Sequence, residues 1–205
     1  RYMKLSVDAI MAIAFAIALG IVSVSRLFAP IFWGEDFAPC AYILSALALS
    51  IPFSGFANVI RMQYLIPNGM DGAYILSVIL GAVSNLTANS LLIPRCGALG
   101  AAVGTVIAEG VVCAAQCLAV KKRIDILAYL KSTAFFGMAG LLMYGAVRVL
   151  DQRAEITVSW LLLEIVVGGS VYCILSVLYL YHTKNELLMT ALQKLGGAHQ
   201  NNDRG

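Results

Sequence analysis

The sequence has few charged residues and very few histidines. The first shortage argues against a water-soluble fold, and the second argues against an enzyme or a metal site. Aspartate, glutamate, lysine and arginine make up 12% of the 205 residues, whereas soluble domains carry roughly 25%. A water-soluble fold of this composition would lack a polar surface. The two histidines, His182 and His199, stand at or after the end of the last apolar run. Since no catalytic triad, metal-ligand spacing or phosphate-cradling glycine loop is present, the sequence predicts no enzyme, no cofactor and no metal site.

The five cysteines and the charge balance also exclude several kinds of site. Cys113 and Cys117 lie one helical turn apart inside an apolar run, as small residues that face lipid or another helix do. Cys40 and Cys96 both fall near the predicted outer surface, so a disulfide between them stays open at this stage. The net charge of +3 is modest and gives no reason to expect a nucleic-acid partner.

Long apolar runs account for most of the chain, which is 60% hydrophobic. The runs come in blocks of about 20 residues between short polar breaks, the length that a helix needs to cross a bilayer. We therefore predict an all-α, polytopic bundle with about six transmembrane helices. The predicted spans are residues 9–30, 39–60, 74–93, 98–120, 132–149 and 156–181.

Three of these spans carry features that predict local geometry. Pro52 stands in the middle of the second span, where we expect a kink or an unpaired carbonyl. The third span has a polar face that includes Asn85 and Asn89, since these residues are one helical turn apart. The fourth span carries a stripe of small residues suited to close helix contact, namely Gly100, Gly104 and Ala108.

The distribution of lysine and arginine predicts the orientation. With six spans both termini share a side, and ten of the 14 basic residues fall on that side. The positive-inside rule then places both termini in the cytoplasm. We expect a basic loop from Lys121 to Lys131. Residues 185–205 are expected to form a short amphipathic cytoplasmic helix and a disordered tail.

Arg26, Glu109 and Glu164 are ionisable residues inside predicted spans, where an ionised group costs at least ~2.5–3.5 kcal/mol. Glu109 fits either a protonatable or cation-coupled group of a transport pathway, or a hydrogen-bond partner of a neighbouring helix. Arg26 lies near the outer end of its span, where it either snorkels to the headgroups or binds an anion such as phosphate. Asn85 and Asn89 either pair with another helix or contact a polar substrate.

Residues 27–120 resemble the C-terminal lobe of polysaccharide and oligosaccharide-lipid flippases of the multidrug/oligosaccharidyl-lipid/polysaccharide exporter superfamily. The order and spacing of several short pieces carry the resemblance. They are PIFWGEDF (30–37), QYLIPNG (63–69), Asn85-Leu86, NSLLIP (89–94), GALGAAVGT (97–105) and Glu109. One departure is the turn after Gly69, where such proteins often carry a basic residue but this chain has Met70 and Asp71.

The resemblance implies a MATE-like architecture of two six-helix lobes around a central cavity, with two extra helices at the end. Residues 1–120 would then be four core helices of the C-terminal lobe, and residues 121–184 the two additional helices. Because the chain opens at Arg1, we expect it to be the C-terminal part of a longer protein. Its partners would be membrane lipids, the missing N-terminal lobe and a lipid-linked oligosaccharide.

The function implied by the resemblance is the flipping of an undecaprenyl-diphosphate-linked oligosaccharide across the bacterial cytoplasmic membrane, for capsule, O-antigen or exopolysaccharide. Arg26, Asn85 and Asn89 would face the substrate cavity, and Glu109 would be a structural or coupling carboxylate. Two other functions stay open. A cation-coupled multidrug exporter of the same superfamily would favour carboxylates in its cavity. A membrane-embedded glycan-assembly enzyme would need catalytic groups at the membrane surface, which Asp125 alone does not supply.

Overall fold

The computed structural model describes residues 2–182, which are helical apart from short turns. The predicted tail segment 185–205 lies outside these residues. The α-helices are α1 (Tyr2–Trp33), α2 (Cys40–Ala48), α3 (Ser50–Ile60), α4 (Asp71–Val120), α5 (Ile126–Asp151) and α6 (Val158–His182). A 3-10 turn, Glu35–Phe37, follows α1, and a π-helical segment, Arg61–Leu65, continues α3.

The protein is an all-α membrane protein that crosses the bilayer several times. Within residues 2–182, five helical stretches are long and apolar enough to span a membrane, with α2, α3 and the π-helical segment counting as one. The longest, α4, has 50 residues. At 1.5 Å per residue, an unbroken helix of that length is about 75 Å long, more than twice the ~30 Å hydrocarbon core.

The long helix α4 reverses direction at Gly97, whose backbone angles are φ 55° and ψ −133°. Glycine adopts a positive φ without the steric cost that a Cβ imposes. The two arms, residues 71–96 and 98–120, then run side by side, and Gln116 Nε2 donates to Ser77 Oγ across them at 3.2 Å. The five helical stretches therefore make six crossings, and the third and fourth predicted spans are the two arms.

Pro52 breaks the α-helix of the second span about one turn before its own position. It has no N–H to donate to the carbonyl of Ala48, four residues earlier. The α-helix accordingly stops at Ala48 and resumes at Ser50. The N–H of Leu49, between them, donates to the carbonyl of Ala46 at 3.1 Å. The break predicted from Pro52 is confirmed.

Helix α1 lies at the centre of the bundle and contacts α2, α3, α5 and α6, while α4 packs on α2 and α3. α1 and α5 run in the same direction. Near their starts Ser132 Oγ donates to Asp8 Oδ1 at 2.7 Å, and near their ends Arg26 pairs with Asp151. We call the two ends of the bundle the Tyr2 end and the Trp33 end.

Two apolar clusters hold this arrangement together. At the Tyr2 end, a cluster joins α1, α3, the π-helical segment and the end of α4 through Val7, Met11, Phe56, Val59, Ile60, Leu65 and Val120. A second cluster joins α1, α5 and α6 through Leu19, Ala139, Met143 and Tyr172. The Tyr172 hydroxyl also donates to the Ala12 carbonyl at 2.6 Å, so α6 is bonded to α1 as well as packed against it.

Two sequence-based expectations were wrong, and one question that the sequence left open is decided. α1 begins at Tyr2 and not near residue 9, so it also contains the buried Asp8. The basic loop does not extend to Lys131, since α5 begins at Ile126, where the Asp125 carboxylate accepts from the Ala128 N–H at 3.1 Å and caps the helix. All five cysteines are free, so Cys40 and Cys96 form no disulfide.

Candidate functional site

Two cavities with charged and polar side chains in their walls border α1, one toward each end of the bundle. The larger, of about 750 Å³, lies between α1, α3 and both arms of α4 in the half of the bundle nearer Tyr2. We call it the Arg61 cavity. The smaller, of about 360 Å³, lies at the Trp33 end between α1, α2 and the end of α5. We call it the Arg26 cavity.

Arg61 is the cationic group of the larger cavity. It stands where α3 passes into the π-helical segment, a type of helix irregularity that is frequent at functional sites. Its guanidinium donates to Asn58 Oδ1 and, at 3.4 Å, to the Tyr74 hydroxyl, and its Cζ lies 5.3 Å from the centre of the Tyr74 ring. No carboxylate within residues 2–182 forms an ion pair with it, so its positive charge is available to an anion.

Glu109 lines the same cavity from the second arm of α4. It is half-buried. Gln116, seven residues later on the same helical face, also borders the cavity. The structure thus brings Glu109 together with Arg61, and not with Arg26, Asn85 or Asn89. One cavity presents both a cation and a carboxylate.

Sequence reasoning did not select Arg61 as a site residue. A signal for it is present, because polar residues recur along α3 at steps of four, four and three, which puts them on one face. These residues are Ser50, Ser54, Asn58 and Arg61, and all four line the cavity. The stripe is easily overlooked, since Pro52 interrupts the span and Arg61 stands at its end.

The Arg26 cavity is built around a shared carboxylate. Arg26 Nη1 lies 2.9 Å from Asp151 Oδ2, and Arg148 Nη1 lies 3.0 Å from the same oxygen. Asp151 is buried, whereas the Arg26 side chain is 59% exposed. One carboxylate therefore orients two guanidinium groups and neutralises only one of their charges, and arginine groups held in this way are suited to bind phosphate.

Hydroxyl groups complete the Arg26 cavity. Ser25 and Ser45 are hydrogen-bonded to each other at 2.8 Å across α1 and α2. Both line the cavity together with Tyr42. Ser45 Oγ donates its own proton to the Ala41 carbonyl at 2.8 Å, so the cavity combines cationic donors with hydroxyl oxygens that can accept. Arg26 is tied into the bundle by Asp151, and the sequence could not show this because Asp151 is 125 residues away and stands between two predicted spans.

Asn85 and Asn89 lie between the two arms of α4. Asn89 Nδ2 donates to Asn85 Oδ1 at 2.9 Å. The Asn89 side chain packs on Gly104, where a Cβ would overlap with its Oδ1 atom. Neither asparagine lines the Arg61 cavity or the Arg26 cavity. The contact of Asn89 with Gly104 on the other arm agrees with the helix-pairing interpretation, and contact of either asparagine with a substrate stays a prediction.

Comparison with known proteins gives one structural relative. No protein-family model matches the sequence, and no curated protein matches it. Among solved structures, the lipid II flippase MurJ in an inward closed conformation matches with a TM-score of 0.76. The fold is flippase-like. The identity is 19%, and the match covers 89% of this chain and 39% of the MurJ chain, so the chain spans less than half of that protein's length.

The likeness to MurJ concerns the fold, since 19% identity is too low to carry a substrate from one protein to the other. It shows that the fold of this chain is similar to part of a flippase. The chemistry of the two arginine-containing cavities must therefore be argued from their own residues.

Proposed function

We propose that this chain is part of a flippase that moves a lipid-linked oligosaccharide across a bacterial cytoplasmic membrane. The observation that carries the proposal is the pair of arginine-containing cavities toward opposite ends of an apolar bundle with a flippase-like fold. A diphosphate headgroup needs cationic donors at the side where it enters and at the side where it leaves. Arg61 meets the first need, and Arg26 with Arg148 meets the second.

The proposal assigns a direction to the two cavities. The excess of lysine and arginine at the Tyr2 end supports placing that end in the cytoplasm. The Arg61 cavity would then receive the diphosphate and the sugars, with Asn58 and Tyr74 as further donors. The Arg26 cavity would accept the diphosphate on the outer side, with Ser25 and Ser45 bonding the sugar. An undecaprenyl tail would stay in the bilayer throughout.

Within the proposal, residues 1–120 are core helices of a C-terminal lobe and residues 121–184 are additional helices. An N-terminal lobe of the same protein would supply the facing wall of the transport pathway. Asn85 and Asn89 would support the shape of the α4 hairpin and reach the substrate only in another conformation. Glu109 would balance the charge of the Arg61 cavity after the diphosphate has left.

The proposal is tested in a bacterium that lacks its own polysaccharide flippase, complemented with the full-length gene. Surface polysaccharide and the trapped undecaprenyl-linked repeat unit are both quantified. The unaltered protein is expected to restore surface polymer and clear the intermediate. Arg61→Gln is expected to lower the restored polymer about tenfold or more, because a hydrogen bond from a charged group is worth ~1.5–3 kcal/mol.

Arg95→Gln is the matched control, since Arg95 is exposed at the hairpin tip beside Gly97 and lines neither cavity. It is expected to restore polymer as the unaltered protein does. Equal loss in both variants, at equal membrane abundance, would contradict a specific role for Arg61. A persistent block with the unaltered protein at verified expression would contradict the flippase proposal itself.

A cation-coupled multidrug exporter is the second candidate, because Glu109 places a carboxylate in the Arg61 cavity. That function predicts sodium- or proton-dependent efflux of a cationic dye, and Glu109→Gln would abolish it. The flippase proposal predicts no dye efflux above that of the empty vector. The same cells therefore discriminate the two functions.

A further inference from the structure

Glu164 carries a buried carboxyl group that has no hydrogen-bond partner among the described residues. The residue lies two turns into α6 and is 1% exposed. Neither Oε1 nor Oε2 has a partner among residues 2–182. An ionised carboxylate in that position loses its hydration and gains no donor in return, which costs several kcal/mol. A neutral carboxyl group avoids most of this cost.

Glu164 borders an apolar groove of about 330 Å³ between α1, α5 and α6. The two hydroxyl groups that border the groove are engaged elsewhere. Ser23 Oγ donates to the Leu19 carbonyl at 2.6 Å, and the Tyr172 hydroxyl donates to the Ala12 carbonyl at 2.6 Å. Their protons are therefore not available to the carboxyl group.

The groove is open beside part of α6. Gly168 lies one helical turn beyond Glu164, and Gly169 follows it. Both border the groove and present no side chain to it. A Cβ at position 169 would meet no atom within 4 Å, whereas a Cβ at position 168 would lie 3.0 Å from the Val147 side chain of α5.

Charged groups from two other helices act on Glu164. Asp151 and Arg148 do so from α5, and Arg26 does so from α1. Tyr172 and Cys173 are the titratable groups of α6 that border the same groove. Both arginines are bound to Asp151 Oδ2, at 2.9 and 3.0 Å. In this arrangement Asp151 holds the cations that an ionised Glu164 would need.

We propose that Glu164 is a proton-binding site whose occupancy decides which carboxylate holds the two arginines of the Arg26 cavity. In the arrangement seen here the carboxyl group has taken up a proton from water and is neutral. When it returns that proton to water, the carboxylate attracts Arg26 or Arg148 away from Asp151. The guanidinium N–H donors in the Arg26 cavity then point in a different direction.

A proton fits this site better than a metal cation does. The groove offers one carboxyl group and otherwise almost only apolar walls, whereas hard metal cations take several oxygen ligands. Within residues 2–182, no group of three or more histidine, cysteine, aspartate or glutamate residues is placed to hold a metal ion. A proton needs one carboxyl oxygen only.

Infrared difference spectroscopy on the purified protein in lipid nanodiscs tests the proposal without measuring transport. The C=O stretching band of a protonated carboxyl group is expected at neutral pH and is lost on raising the pH. Glu164→Gln is expected to remove the band. Glu155→Gln is the control, since Glu155 is exposed in the turn between α5 and α6, and it should leave the band in place. A band that persists in folded Glu164→Gln protein would overturn the proposal.

Asp151→Asn tests the same idea with Glu164 left intact. Releasing the two arginines should favour ionisation of Glu164, so the pH at which the band is half lost falls by roughly one unit or more. Asp36→Asn, at an exposed position in the 3-10 turn, should leave that pH unchanged. If the band is half lost at the same pH in Asp151→Asn as in the unaltered protein, the proposed exchange of the arginines between the two carboxylates is overturned. Loss of the band on adding Na⁺ at constant pH would assign the site to a metal cation and overturn the proton assignment.

Discussion

Gly100→Leu is expected to lower the free energy of unfolding by about 3 kcal/mol, at the upper end of the cost of overpacking. A Cβ at position 100 would overlap with the backbone carbonyl of Leu92 on the facing arm of α4. A flexible side chain can rotate away from such an overlap, but a helical backbone cannot. The α4 hairpin must therefore open, with loss of the contacts between small residues that hold membrane helices together.

Gly110→Leu is the matched control for this prediction. Gly110 lies on the same arm as Gly100, and a Cβ at position 110 meets no atom within 4 Å. Unfolding is followed by titrating the protein from mild detergent into sodium dodecyl sulfate. We expect the midpoint of unfolding of Gly110→Leu to equal that of the unaltered protein within experimental error. Equal midpoints for the two variants would contradict the close approach of the arms at Gly100.

Asp151→Asn is expected to destabilise the protein by about 2 kcal/mol, because hydrogen bonds that involve charged groups are worth ~1.5–3 kcal/mol. Asp151 Oδ2 holds both Arg26 and Arg148, so the substitution leaves two guanidinium charges without their carboxylate. The cost is moderated because the Arg26 and Arg148 side chains are 59% and 44% exposed. Asparagine keeps the shape of the side chain, which separates the effect of charge from that of packing.

The proposed proton site at Glu164 adds a second prediction, which concerns the double variant of Asp151 and Glu164. If Glu164 takes over the arginines in Asp151→Asn, adding Glu164→Gln should destabilise the protein further than the sum of the two single substitutions. Asp36→Asn provides the baseline for removing an exposed carboxylate. Strict additivity in the double variant would show that Glu164 and Asp151 do not compete for the same cations.

The number of membrane crossings and the positions of the breaks were predictable from the sequence. Apolar blocks of about 20 residues are set by bilayer thickness, and this signal is local. Pro52 removes one backbone donor and Gly97 permits a positive φ, and both effects act within a few residues. The close contacts of Gly100 and Gly104 across the α4 hairpin were equally predictable, because neighbouring spans joined by a tight turn must pack together.

The composition of the two cavities was predicted less well. Arg26 was selected, but its partner Asp151 is 125 residues away and stands between the fifth and sixth predicted spans. Arg61 was not selected, although the polar stripe on α3 leads to it. Glu109 was selected as an ionisable residue inside a span, but its sharing of a cavity with Arg61 depends on how α3 packs on α4.

The sequence by itself determined an all-α membrane bundle, its six crossings and the residues at which the helices break or reverse. The tertiary structure decided that Arg26 and Arg148 pair with Asp151 and that Arg61 and Glu109 line one cavity. The physical reason is that lipid solvates any apolar helix face, so hydrophobicity does not reveal which face turns inward. That choice is made by the packing of whole helices, which also left Glu164 buried and without a hydrogen-bond partner in the part of the chain that the structure describes.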